Sequence, residues 1–208
     1  MNVDLTAHPH RVSSRLAGFA IAALLALAAF AGSAQACSYA GAEQVFSPWA
    51  DQHAYALAPD GGFEAGASGW SLSGGASVVA GNETYFLNGT GDSRALSLPG
   101  GSSASSPPIC VSLDTPIFRL MARNSGDPSS RLRVEAVYKL LGLVQTKVIN
   151  TVTAGSSWAP TQQMSPVLGL STIVGTLIPS AIQIRLTPLD GKGVWQVDDL
   201  YIDPFSRR

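Results

Sequence analysis

Arg131-Leu132-Arg133-Val134-Glu135-Ala136-Val137-Tyr138-Lys139-Leu140 is the stretch on which the fold turns. Leu132, Val134, Ala136, Tyr138 and Leu140 share one parity, and Arg131, Arg133, Glu135 and Lys139 occupy the other. Successive side chains of a strand point to opposite faces, so the pattern predicts a half-buried strand with one apolar and one charged side. Upstream, Phe118, Leu120 and Ala122 alternate with Arg119, Met121 and Arg123; near the end, Ile182, Ile184 and Leu186 alternate with Gln183, Arg185 and Thr187. Together these segments predict a core on one side and a polar sheet surface on the other.

Outward from them, short apolar runs are separated by turn clusters such as Pro59-Asp60-Gly61-Gly62, Ser73-Gly74-Gly75, Asn88-Gly89-Thr90-Gly91-Asp92 and Asp190-Gly191-Lys192-Gly193. No long helical period interrupts them. This texture predicts an all-β domain, an antiparallel β-sandwich. Residues 194–202 change phase internally: Trp195 and Val197 sit on one parity, Leu200 and Ile202 on the other, with Asp198-Asp199 between. A β-bulge there would return both apolar pairs to the core and re-aim one carboxylate. The alternative is that one apolar pair simply faces the second side of the sandwich or a covering loop. The apolar run 167–178, bracketed by Pro166 and Pro179, is too short to span a membrane and reads as a loop or short helix at one edge of the sandwich.

The N-terminus has a different character. Arg11 and Arg15 precede an Ala/Leu-rich apolar run ending near Ala31, and Ala34-Gln35-Ala36 follows as a small-x-small cleavage pattern. The run is shorter than the roughly 20 apolar residues of a membrane span, so residues 1–36 are expected to be a cleaved signal peptide of a secreted protein. Cleavage would leave Cys37 first, which keeps open a lipid anchor on that residue. A segment 37–58 and a sandwich domain 59–208 complete the expected organisation. Two cysteines exist, Cys37 and Cys110. Export favours their pairing, and a loop of that length gives about 4 kcal/mol in the chain-entropy model. Arg11, Arg15 and Asp4 leave with the leader, out of 13 basic and 14 acidic residues. The slightly acidic remainder argues against nucleic acid as a partner.

Two motifs carry a family resemblance. Gly61-Gly62-Phe63-Glu64, followed by Gly66 and Trp70, stands near the start of the domain, and Trp195-Gln196-Val197-Asp198-Asp199-Leu200 stands at its end. The pairing resembles the galactose-binding-like jelly rolls that include many carbohydrate-binding modules, with G-F-E-x-G in the first strand and W-x-hydrophobic-D-D in the last. The resemblance implies a jelly-roll sandwich and a structural calcium ion tying the end strands, held by the backbone carbonyl of Gly62, by Glu64 and by Asp199. Calcium takes about six to eight oxygen ligands, so carboxylates from the two chain ends suit it. In the alternative, Glu64 caps a turn and one aspartate points into water.

The resemblance also implies a glycan or cell-envelope polysaccharide as partner. Such modules commonly stack sugar rings on aromatic side chains, whereas the polar face here carries Arg119, Arg133, Gln183 and Arg185. Guanidinium groups suit an acidic polysaccharide. Equally, the arginines could pair with Glu135 and merely keep the surface soluble. Trp70 and Trp195 are expected in the core, leaving Tyr85, Trp49 and Trp158 as stacking candidates. Catalysis finds little support: His53 is the sole histidine after the leader, no phosphate loop, nucleophile elbow or Cys-His pair occurs, and Glu64 with Asp199 is a better ligand pair than a glycosidase pair. The readings are therefore a secreted non-catalytic carbohydrate-binding-like module, then a structural or envelope-associated module without sugar, then an extracellular hydrolase.

Overall fold

The computed structural model describes residues 39, 41–111, 116–140, 142–166 and 181–203, all within the unit Cys37–Arg208. The expected leader 1–36 and the apolar run 167–178 lie outside the described residues. Within them the chain forms twelve strands: β1 (Ala56–Leu57), β2 (Ser71–Ser73), β3 (Ser77–Ala80), β4 (Arg94–Pro99), β5 (Ser103–Ser105), β6 (Ile109–Cys110), β7 (Ile117–Asn124), β8 (Leu132–Leu140), β9 (Leu143–Val152), β10 (Ala159–Pro160), β11 (Ala181–Pro188) and β12 (Val194–Asp203). Among the described residues no helix is long and apolar enough to cross a membrane.

The strands make two sheets. The first runs β10-β7-β12-β4-β3, with β1 also paired to β12; the second runs β2-β5-β11-β8-β9, with β6 also paired to β11. Every pairing is antiparallel. Between the sheets lie the residues whose parity marked them as apolar: Phe118, Leu120 and Ala122 from β7, Leu132, Val134 and Ala136 from β8, and Ile182, Ile184 and Leu186 from β11. The all-β sandwich expected from the sequence is the observed fold.

The phase change in β12 is a bulge. Its pairing with β7 shifts register between Asp198 and Tyr201, and Asp199 takes a left-handed backbone with φ of 50°. Trp195, Val197, Leu200 and Ile202 consequently all reach the inter-sheet core. Trp195 is fully buried, and its indole N–H donates to Ser130 Oγ at 3.0 Å, which meets its polar requirement. Trp70 is buried against Phe63, as expected, and its indole N–H donates to the Asp60 carbonyl.

One face departs from expectation. Arg119, Met121 and Arg123 alternate outward from β7, yet Met121 is fully buried and Arg119 nearly so. The chain ahead of Pro59 lies over them. Phe46 inserts beside Tyr55, Met121, Trp158, Tyr201 and Ala95 to make a second apolar cluster on the outside of the first sheet. The Glu43–Tyr55 bridge and the β1–β12 pairing fasten this segment. Sheet strands therefore begin before residue 59.

Of the expected Cys37–Cys110 disulfide, the described residues hold the Cys110 end alone. No disulfide has both ends among the described residues, because Cys37 lies outside them. Cys110, on the short strand β6, is not a free thiol, and its carbonyl accepts a hydrogen bond from Tyr39 Oη at 2.7 Å.

Candidate functional site

Two places bring candidate residues together. The first is the bulge in β12. Gly61 passes so close to β12 that a Cβ there would stand 2.6 Å from the Leu200 carbonyl. Gly62 follows, where a Cβ would meet Asp199 Oδ1 at 3.2 Å and Asn88 Nδ2 at 3.0 Å. The two glycines thus leave a small cradle against the Asp199 carboxylate. Both Asp199 oxygens are buried without a hydrogen-bond partner. Burial first, then the charges of Glu83, Asp92 and Glu64, push Asp199 up to about 8. Asp198 is pushed up to about 9 by burial and by Asp199 itself. Neither aspartate points into water.

Glu64 sits on the rim of this place with a structural task. Its Oε1 accepts from the backbone N–H groups of Ser93 and Arg94, both at 2.8 Å, and Oε2 accepts from Ser93 Oγ at 3.1 Å. It caps the start of β4, as the turn-capping alternative held. Each carboxylate oxygen has about two acceptor sites, so Oε1 is filled and Oε2 keeps one. Glu83, which the sequence did not single out, is fully buried. Its carboxylate accepts from the N–H groups of Tyr85 and Leu87, while its own N–H donates to Asp198 Oδ2 at 3.1 Å. Isolated in Asn82-Glu83-Thr84, it gave no pattern to find. Among the described residues no three His, Cys, Asp or Glu groups stand close enough to hold a metal ion. The surroundings of Asp199 nonetheless fit a hard cation in kind: oxygen donors, an unpartnered buried carboxylate and a cradle that a side chain would fill.

The second place is the outer face of the second sheet. Arg133 and Glu135 on β8 and Arg185 on β11 meet there, with Glu135 and Arg185 directly opposite in register. Glu135 is buried, and both arginines reach it: Arg185 Nε stands 2.9 Å from Oε2, and Arg133 Nε 3.3 Å from Oε1. The guanidinium side chains remain about a third exposed, at 37% and 33%. Gln183 is half-buried and donates to the Ser106 carbonyl at 3.0 Å. Thr146 and the exposed Val148 of β9 flank the group.

Arg119 is not part of that face. It lies on β7 in the other sheet, where it pairs with Asp51 at 2.7 Å and donates from Nε to the Thr161 carbonyl at 2.7 Å. Its guanidinium also stands 4.7 Å above the Phe46 ring. Burial opposes ionisation of Asp51, but hydrogen bonds from Gln163, Tyr55 and Arg119 hold it below the usual carboxylate range. Trp158 is buried beneath Arg123, 4.9 Å from its guanidinium, and is not displayed. Tyr85 is half-exposed but packs edge-on against Trp49 at 4.7 Å, remote in the fold from Arg133 and Arg185 by belonging to the first sheet's loops. Parity alone could not separate Arg119 from Arg133, since both alternate away from the same core.

No protein-family model matches the sequence, and no curated protein matches it. Among solved structures the chain is similar to the CBM22-1 xylan-binding domain from Paenibacillus barcinonensis Xyn10C, with a TM-score of 0.50 and 16% identity over 70% of this chain and 93% of that one. A C-terminal family 22 carbohydrate-binding module of Clostridium thermocellum Xyn10B gives 0.47 and 16%, covering 70% of this chain and 92% of its own. TmCBM61 in complex with beta-1,4-galactotriose gives 0.47 and 15%, covering 70% and 96%. At these identities the likeness is one of fold, a jelly-roll β-sandwich of the carbohydrate-binding-module type.

Proposed function

We propose, from that likeness of fold and from the open second sheet, that this chain is an exported, non-catalytic glycan-binding module. Its ligand surface is the outer face around Arg133, Gln183 and Arg185, and the ligand is an acidic polysaccharide. The observation that carries this reading is the pair of guanidiniums spread across one buried carboxylate. Glu135 neutralises one positive charge, holds Arg185 by a hydrogen bond and stands 3.3 Å from Arg133 Nε, which leaves a net cationic edge on a face that no other element covers among the described residues. Planar guanidinium forks recognise carboxylates and sulfates bidentately, and prior immobilisation lowers the ordering cost of binding. Arg133→Ala and Arg185→Ala are each expected to weaken binding to an acidic polysaccharide such as polygalacturonate by about tenfold, roughly 1.4 kcal/mol, in affinity electrophoresis. The same two-to-one pairing also favours the second reading, a structural module with no sugar. Failure of the wild-type protein to bind any acidic or neutral glycan would decide for that one.

A calcium ion at Asp199 is part of the proposal. Asp199 would supply its carboxylate, Gly62 its carbonyl and Glu64 the acceptor site left on Oε2; what supports this is the unpartnered buried carboxylate beside the glycine cradle. A bound cation would link the loop after β1 to β12. Calcium should raise the melting temperature of the wild-type protein, because it binds the folded state alone. Asp199→Asn keeps the shape and tolerates a left-handed backbone. With chelator near neutral pH the variant should be more stable than wild type, since folding no longer has to keep a buried carboxyl neutral far above its ordinary titration range; with calcium it should gain nothing. The pH dependence has a definite sign. Asp198 and Asp199 rise from 3.8 to about 9 and about 8 on folding. In chelator their contribution is therefore complete below about pH 4 and is lost as pH rises toward 8 to 9. Calcium should flatten that decline. A melting curve indifferent to chelator across this range would sink the site.

A further inference from the structure

The outer face of the first sheet is only partly closed by the N-terminal segment. Between residues 49–54 and the strip that follows β10 lies a cleft of about 880 Å³. Arg119 and Asp203 line its depth, Trp49 and His53 one wall, and Gln162 and Gln163 the other. We propose that this cleft is a carbohydrate site separate from the arginine face, and that it takes a short neutral oligosaccharide.

The volume lies in the range of small-ligand sites, about 300–1,000 Å³. The groups around it are held before any ligand arrives. Arg119 is locked between Asp51 and the Thr161 carbonyl. Asp51 also accepts from Tyr55 Oη at 2.8 Å and from the His53 N–H at 3.2 Å. His53 Nδ1 stands 3.0 Å from Asp203 Oδ2, and the ring is 41% exposed, so the imidazole is presented in a fixed orientation. Trp49 meets Tyr85 edge-on at 4.7 Å and Phe46 at a tilt at 6.2 Å.

Charge selects the ligand class. Arg119 is already paired with Asp51 at 2.7 Å, and Asp203 is engaged by His53 at 3.0 Å, so the guanidinium is not left over to attract an anion. A neutral polyol requires no such charge. It needs donors and acceptors in alternation around a ring, and the exposed amide of Gln162 offers both, beside a Gln163 side chain held by Asp51. The indole of Trp49 supplies an apolar wall for the C–H surface of a pyranose, and indole and sugar ring together bury area with little loss of side-chain entropy. This is the reverse of the preference argued for Arg133 and Arg185, on the other sheet.

The test is titration of the full exported chain with xylotriose, cellotriose, β-1,4-galactotriose and trigalacturonate, followed by NMR at the Trp49 indole N–H and the His53 ring and by calorimetry. A neutral trisaccharide should shift both signals and bind more tightly than trigalacturonate. Gln162→Ala, a change at an exposed side chain, should weaken it about tenfold, and Trp49→Ala at least as much. If Trp49→Ala loosens the N-terminal segment, Gln162→Ala still decides. Absence of shifts with every neutral trisaccharide at millimolar concentration overturns the proposal. So does tighter binding of trigalacturonate at these two signals. Loss of neutral-sugar binding in Arg133→Ala but not in Gln162→Ala would overturn the cleft and move all recognition to the arginine face. Neutral binding at the cleft without any acidic-glycan binding would uphold the cleft and sink the arginine face.

Discussion

Replacing Arg119 with alanine is expected to lower the unfolding free energy by about 3–5 kcal/mol. The pair it forms with Asp51 is almost dry, with side chains 10% and 5% exposed. Removing the guanidinium leaves the buried Asp51 carboxylate without its counter-charge, with only the hydrogen bonds from Gln163, Tyr55 and the His53 N–H to hold it ionised, and takes from the Thr161 carbonyl its side-chain donor. Most of the loss is the cost of that orphaned charge rather than the worth of the pair, so Arg119→Ala/Asp51→Ala should recover part of it. Equilibrium urea denaturation measures both. A single-variant loss under 1 kcal/mol, or a double variant worse than the two single losses added together, would contradict this account of how the N-terminal segment is fastened.

The second large effect is at Phe46. The ring is fully buried and meets Tyr55 and Tyr201 edge-on at 5.0 and 5.8 Å, with Arg119 above it. Phe46→Ala removes a large buried side chain and the centre of a satellite cluster, which calls for about 3–5 kcal/mol. Because the surrounding segment is held chiefly by this cluster, local opening should accompany the loss. Limited proteolysis is expected to cut near residues 44–53 in the variant while β7 and β8 stay protected. Unchanged protection there, with a stability loss below 1 kcal/mol, would mean the cluster does not anchor the segment.

How much of this was legible in the sequence differs by element. The strands around residues 118–122, 132–138 and 182–186 could be read because a strand facing a core must alternate, and nothing else in these stretches competes. The bulge could be read because Trp195 and Val197 fall out of phase with Leu200 and Ile202, and burying all four requires one extra residue. Which sheet each strand joins is set by long-range pairing that leaves no local trace. That is why Arg119 and Arg133 looked alike in sequence and ended on different sheets. The covering of β7 was hinted at by Met121, an apolar residue at a nominally outward position between two arginines. The segment that covers it has neither helical nor strand period, because Phe46 enters from a short 3-10 turn. Around the bulge, Gly62 and Asp199 do converge, Glu64 serves β4, and Glu83 contributes charge that no motif announced.

The pairing of β1 with β12 has a mechanical side. Ala56 stands opposite Ile202 and Leu57 opposite Tyr201, so the start of β1 and the end of β12 leave the sheet at the same edge. Tension drawn through those two points would peel β1 from β12 one bond at a time, the weakest way to load antiparallel strands. On its other flank β12 is held by β7 from Trp195 to Asp203. A pull applied at those two points would therefore part β1 from β12 before it loads the longer pairing of β12 with β7, and the sandwich would stay whole.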